Sequence, residues 1–349
     1  MRVPAPRGPA STCLLRALGR SPEVDGDDRL LLSAVRDAVQ RSVDILSDDD
    51  LQLALLCLYE LHYRGLDGVD ERWEWAPQLL RARARIEISF EDALRRTVPA
   101  DVQPVRSAEA IAAALFGLTG RDTGPGLSAF VARHATVPQL REFLVQRSIY
   151  HLKEADPHTW AIPRLAGRPK AALVEIQADE YGGGRPERMH AELFARAMRG
   201  LGLDDSYGHY VDQVPAITLA AVNMMSMFGL HRRLRGAIAG HLAAFEMTSS
   251  IPNRLYGNGF RRHGLPADVT WYFDEHVEAD AVHEQIAGHD LAGALVESEP
   301  DLLQDVFFGA AACLRMDGLV AEHILGCWRR GESSLRPSAE RSDVMVAGA

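Results

Sequence analysis

Apolar positions recur along this chain at three- and four-residue intervals, and long alternating β-branched runs are absent. That pattern predicts helices throughout. They are expected over 28–46, 49–64, 75–96, 108–118 and 137–156, then over 170–181, 186–199, 215–230, 232–249, 266–288 and 301–329. Pro186, Pro215 and Pro266 fall in first helical turns, where a missing N–H costs nothing. Residues 1–25 and the tail 332–349 lack periodicity and read as disordered. The class expected is all-α, with a helical extension over 26–130 and a seven-helix core over 131–331.

Composition narrows the functions. The 349 residues carry 38 Lys+Arg against 48 Asp+Glu, a net charge of −10, which argues against a nucleic-acid partner because phosphates need a basic face. No apolar run reaches the roughly 18 residues of a membrane span, and Cys13, Cys57, Cys313 and Cys327 are too scattered for a CxxC site. A cytoplasmic, reducing location with no membrane association is expected.

The chemistry concentrates in residues 271–286, WYFDEHVEADAVHEQI. On a helix His276, Asp280 and His283 share a sector of about 60°. Val269, Tyr272 and Phe273 behind them, with Ile286 and Ala287 ahead, mark that face as buried. Ionisable groups buried singly cost several kcal/mol each unless paired or bound to metal, a cost of order ~2–7 kcal/mol even for neutral polar groups. Two imidazoles and a carboxylate form half of a transition-metal site; a hydrogen-bonded polar seam is the bland alternative.

Partners must come from facing helices. Glu246 continues the apolar stripe of Ile238 and Leu242, and Glu154 ends the helix FLVQRSIYHLKEAD. The segment VEIQADEYGGGRPERMH offers Glu175, Asp179, Glu180, Glu187 and His190. Glu180 shares a face with Leu173, Ile176 and Gln177, whereas Glu175 and Asp179 straddle its edge. A bend at Gly182, Gly183 and Gly184 would turn Glu180 and His190 toward one centre. A second register pairs Glu187-x-x-His190 with Asp280-x-x-His283, as in ferritin-like bundles. It ranks lower, because it leaves His276 without a role and an acid after Pro186 is favoured by the helix dipole alone.

Together YHLKEAD, IQADEYGGG…MH, AFEMTSSIPNR and the HxxxDxxH helix resemble the haem-oxygenase-like di-iron oxidases and oxygenases, or iron-containing redox enzymes, over about 137–328. The resemblance implies a haem-oxygenase-like seven-helix core that carries no haem. It implies two iron ions held by Glu154, Glu180, His190, Glu246, His276, Asp280 and His283, with O2 as co-substrate and an external reductant, and no catalytic residue beyond these ligands. Ligand type alone also admits manganese. The presence of Glu246 and the ligand spacing resemble the N-oxygenating branch, which implies N-oxygenation of an amine or amino-acid-like metabolite in a biosynthetic pathway. The alternatives are desaturation or oxidative C–C cleavage of an amino acid or fatty acid, and a metal-free helical binding protein.

Arg147, Asn253, Arg254 and Tyr256 are the substrate-binding candidates, an arginine fork being suited to a carboxylate. Met224, Met225 and Met227 read as core or an adaptable pocket wall. The remaining histidines, among them His151, His158 and His241, read as structural or exposed. The partners expected are a small-molecule substrate, an electron-donor protein and a second copy of the chain.

Overall fold

Residues 1–22 depart first from the sequence pattern, the remaining 23–25 of the expected disordered segment lying outside the described residues. The computed structural model describes residues 1–22, 29–99, 104–121 and 124–337, apart from the side chains of Asp280 and Ala281. Far from being disordered, Pro9–Leu18 forms helix α1, which buries Leu14 and Leu18 against α2 (Arg29–Arg41) and α3 (Asp49–Glu60). Its Ala10 and Ser11 amides donate to the buried Asp50 carboxylate of α3 at 2.8 and 2.7 Å. These supports come from 40 residues away in sequence, so a ten-residue helix with one short apolar face gives no local sign of them.

The tail behaves similarly at its start. Ser334 is buried, its amide and hydroxyl both donating to Glu142 Oε2 at 2.8 Å, while Gln146 Nε2 donates to its carbonyl at 2.9 Å. Residues 338–349 of the expected disordered tail lie outside the described residues.

The all-α class holds, with no strand among the described residues. After α4 (Pro77–Thr97), α5 (Ala108–Thr119) and α6 (Leu127–Arg133) come α7 (Val137–His151), the single turn α8 (Asp156–Thr159), α9 (Gly167–Glu180) and α10 (His190–Gly200). Then follow α11 (Ala216–Leu230), α12 (Arg235–Arg262), α13 (Ala267–Gln285), a π-helical stretch Ile286–Gly293, α14 (Ala294–Ser298) and α15 (Leu303–Arg329). None of these helices is long and apolar enough to cross a membrane, among the described residues.

Three differences from the expected helices bear on the site. The helix expected over 137–156 stops at His151, so Glu154 lies on a turn. The helix expected to end at 249 runs through Pro252 to Arg262. Proline there removes one N–H, but Tyr256 and Phe260 beyond it are buried against α13 and α6, which sustains the helix. Finally, the stretch expected as helix over 186–199 is helical only from His190, which leaves Glu187 exposed on a separate 3-10 turn.

Candidate metal centre

Four helices and one turn converge on one buried cluster. Helix α13 supplies His276 and His283, α12 supplies Glu246, α9 ends on Glu180, α10 begins on His190, and the turn after α7 supplies Glu154. All six residues are at most 9% exposed. Gly182, Gly183 and Gly184 take φ of 68°, 59° and 79°, left-handed values that glycine adopts without a Cβ clash. They fold the chain back so that His190 Nδ1 faces Glu180 Oε2 at 3.1 Å.

The donor atoms sort into two groups. Glu154, Glu180, His190 and His276 each offer an atom within 4.8 Å of the others, and so do Glu180, Glu246 and His283. Glu180 belongs to both. Two of the three imidazoles are oriented from outside. His276 Nδ1 lies 2.8 Å from the Tyr272 carbonyl, leaving Nε2 toward Glu154 at 3.6 Å. His283 Nε2 lies 3.0 Å from Asp179 Oδ2, leaving Nδ1 toward Glu246 at 3.6 Å. Such carbonyl and carboxylate supports fix the tautomer that presents a lone pair inward.

Inside, the polar groups are left without hydrogen bonds. Glu154 Oε2, Glu180 Oε2, His190 Nδ1 and His283 Nδ1 are buried and have no hydrogen-bond partner. The 3.1 Å approach of His190 to Glu180 is thus an ion-pair distance without hydrogen-bond alignment. Four orphaned atoms in one buried cluster are costly in a core unless something else satisfies them. Mixed carboxylate and imidazole donors suit a divalent transition metal, so the residues fit two ions sharing Glu180.

Without metal the charges lean on one another. Burial raises the Glu154 carboxyl, but His151, His276 and His190 outweigh it and hold the pKa at about 2. Burial likewise raises Glu180, and His190 outweighs it, leaving the net shift downward. Glu246 stays raised by burial, with His283 offsetting only part. His283 is lowered by burial yet lifted further by Glu246 and Asp179, to about 9.

Of the seven ligands expected from sequence, six converge; the Asp280 side chain lies outside the described residues. Glu187 and Glu175 are exposed, so neither joins. Two neighbours escaped sequence reasoning, Tyr272 and His151, whereas Asp179 was placed at the edge of the Glu180 face. Tyr272 donates its hydroxyl to Glu154 Oε1 at 2.8 Å, although it reads as one more apolar position of the stripe. His151, expected to be structural or exposed, is buried with Nε2 3.8 Å from Glu154. Asp179 reaches His283 from the edge of α9.

Beside the first group opens a cavity lined by Glu154, His276, Tyr272, Arg147, Asn253 and Tyr256. Arg254, also expected there, is exposed and does not line it, being a third of a turn round α12 from Asn253. The Arg147 guanidinium lies between the Phe143 and Tyr256 rings, 4.9 and 5.2 Å from their centroids. It donates to Tyr256 Oη at 3.3 Å and has no carboxylate within 4.0 Å among the described residues. Past Arg147 and Asp317 a second cavity is walled by Met224, Met225, Met316, Val222 and Ile324. Met227 is buried in the core.

Comparison with known proteins agrees with this geometry. A family model described as iron-containing redox enzyme matches residues 141–318, just over half of the chain. Nitrosourea synthase of Streptomyces achromogenes subsp. streptozoticus is 27% identical over 162 residues, 46% of this chain and 34% of that protein, so the match spans about a third of that relative's length. Among solved structures, a CADD-like protein of unknown function from Nostoc punctiforme superposes with a TM-score of 0.51 at 16% identity, covering 63% of this chain and 97% of that one. At that identity the likeness is one of fold.

Proposed function

Because this chain belongs to the iron-containing redox enzyme family, we propose that it holds two iron ions and uses O2 to oxygenate a nitrogen of a small, carboxylate-bearing amine. The carrying observation is that Glu180 stands in both donor groups. Glu154, His190 and His276 would hold one ion, Glu246 and His283 the other with Asp280, and Glu180 would lie between them. Iron bound there supplies electrons for the reduction of O2, which an external reductant must restore.

The chain's own residues do the rest. Tyr272 and the Tyr272 carbonyl hold Glu154 and His276 in place. Arg147, with no carboxylate of the described residues within 4.0 Å, takes the substrate's carboxylate in the adjoining cavity. The half-buried site limits water around that ion pair, which strengthens it. N-oxygenation is favoured by the likeness to nitrosourea synthase, whose named product contains a nitrogen–oxygen bond.

One observation favours a second reading. The methionine-walled cavity beyond Arg147 is apolar, which suits desaturation or C–C cleavage of a molecule with a hydrocarbon chain. Anaerobic loading with Fe(II), a count of bound iron, then O2 uptake with amino acids or with fatty acids separates the readings. Two irons per chain and uptake stimulated by amino acids support the first, and stimulation by fatty acids alone supports the second. No iron uptake leaves a metal-free helical binding protein.

A further inference from the structure

Glu154 is the one donor of the cluster carried on a turn, between α7 and α8, and that turn is strained. Ala155 takes φ 74°, alone among the described non-glycine residues in having a positive φ. An L-residue resists that conformation because its Cβ crowds the following carbonyl oxygen. The surrounding structure must therefore hold it.

Part of the hold is local to the core, where Gln177 Nε2 donates to the Ala155 carbonyl at 2.9 Å. A further part comes from the end of α3 and the turn after it, some ninety residues earlier. Arg64 donates to the Leu152 carbonyl at 3.2 Å. The Lys153 ammonium, 1% exposed, pairs with the Glu60 carboxylate and lies 4.0 Å over the Tyr63 ring. The second Glu60 oxygen accepts from Tyr207 Oη at 2.6 Å. Lys153 and Glu154 are consecutive, so anchoring one side chain on α3 fixes where the other points.

Stability gives little reason for this pair. A buried ion pair is often no better than two apolar side chains of the same size, because desolvation offsets the attraction. What charge adds is direction: an ammonium beneath a carboxylate and over an aromatic ring has one place to sit.

We infer that Glu60 and Lys153 are positioning residues for Glu154, so that the N-terminal extension is a working part of the metal centre. The inference rests on the two-ion reading above. It predicts that the ion position built on Glu154, His190 and His276 depends on the extension, whereas the position built on Glu246 and His283 does not.

The test is anaerobic titration of the full chain with Co(II), read by visible absorption, alongside far-ultraviolet circular dichroism. The wild type should take two equivalents. The double variant Glu60→Leu/Lys153→Met, which replaces the charged pair by apolar groups, should keep its helix content and one equivalent, with the other weakened at least tenfold. Adding Ala155→Gly to that variant should recover much of the lost affinity, since glycine adopts the left-handed turn unaided. If the double variant fails to fold, Glu60→Gln, nearly isosteric, should weaken the same single equivalent several-fold.

Two equivalents bound with wild-type affinity in the folded variant would overturn the positioning role and leave the two-ion reading intact. Equal weakening of both equivalents with no recovery by glycine would reduce the pair to general support. A wild-type chain that takes up no Co(II) would remove the two-ion reading and this inference with it.

Discussion

Glu180 ends α9 with one oxygen facing His190, and its carboxylate is common to both donor groups. Replacing it should therefore differ in kind from replacing its neighbours. Glu180→Ala is expected to abolish binding of both irons, and Glu246→Ala to remove one, as counted by iron analysis after anaerobic loading and desalting. Glu187→Ala, on an exposed turn, should leave two. Loss of iron in Glu187→Ala would restore the ferritin-like register. The convergence of these residues was legible where a charged residue interrupts an apolar stripe, as His276, His283 and Glu246 do. They were not legible for Tyr272, whose ring continues the stripe while its hydroxyl serves Glu154, nor for His151, an isolated histidine whose neighbour is set by the turn after α7. The same limit hid the buried pair His158 and His241, 3.1 Å apart. Burial holds His158 at about 4 and His241 well below its usual range, His158 adding to the latter. Both folded-state values lie below that of an unfolded histidine, about 6.5. The stability the pair contributes is therefore complete above that pH and is lost as pH falls toward 4. Thermal melts of His158→Gln/His241→Leu between pH 7.5 and 4.5 should show a shallower acid-side fall than the wild type. Parallel curves would mean that the imidazoles do not govern it.

At the scale of elements, α12 carries Glu246 and α15 helps wall the two cavities beside the cluster, so their separation sets the width of the site. They touch through glycines. A Cβ on Gly240 would lie 1.8 Å from the Val306 carbonyl oxygen, and one on Gly309 would lie 1.9 Å from the Ala237 carbonyl oxygen. Backbone cannot yield as a flexible side chain does. Gly309→Ala should cost at least the about 1–3 kcal/mol typical of overpacked cores, seen as a lowered urea midpoint with unchanged slope. An unshifted midpoint would mean that the helices part freely. This contact could not be read from the sequence, where both glycines look like mild interruptions of long helices. Pro252 misled in the opposite sense. Its local rule ends the helix at 249, yet burial of Tyr256 and Phe260 carries α12 on to Arg262 and brings Asn253 and Tyr256 to the cavity beside Glu154. Elements with a sustained apolar face, such as α11 and α15, were placed within a few residues, because one long stripe outweighs any single breaker.

For the molecule as a whole, the cluster is a local cost that metal would turn into a gain. Four buried donor atoms lack hydrogen bonds, and His283 is held protonated up to about pH 9 by Glu246 and Asp179. Ions that bind only the folded chain add stability in proportion to the logarithm of their excess, about 2.7 kcal/mol per site at a hundredfold excess over Kd. With an unfolding entropy of about 2.1 cal/mol/K per residue, a chain of 349 residues should melt about 4 °C higher for one ion and about 7 °C higher for two. Differential scanning calorimetry under anaerobic conditions, with Fe(II) against a chelator, measures this directly. The rise should vanish in Glu180→Ala and halve in Glu246→Ala. Because His283 must lose its proton to bind, the rise should also grow with pH between about 6.5 and 9 and be accompanied by proton release. Stability of the metal-free chain should move the other way over that window. Its His283 contribution is whole below the unfolded histidine value and is lost as pH passes the raised folded one. Superimposed melts with and without Fe(II) at every pH would instead mean that the buried acids and imidazoles satisfy one another as a polar seam.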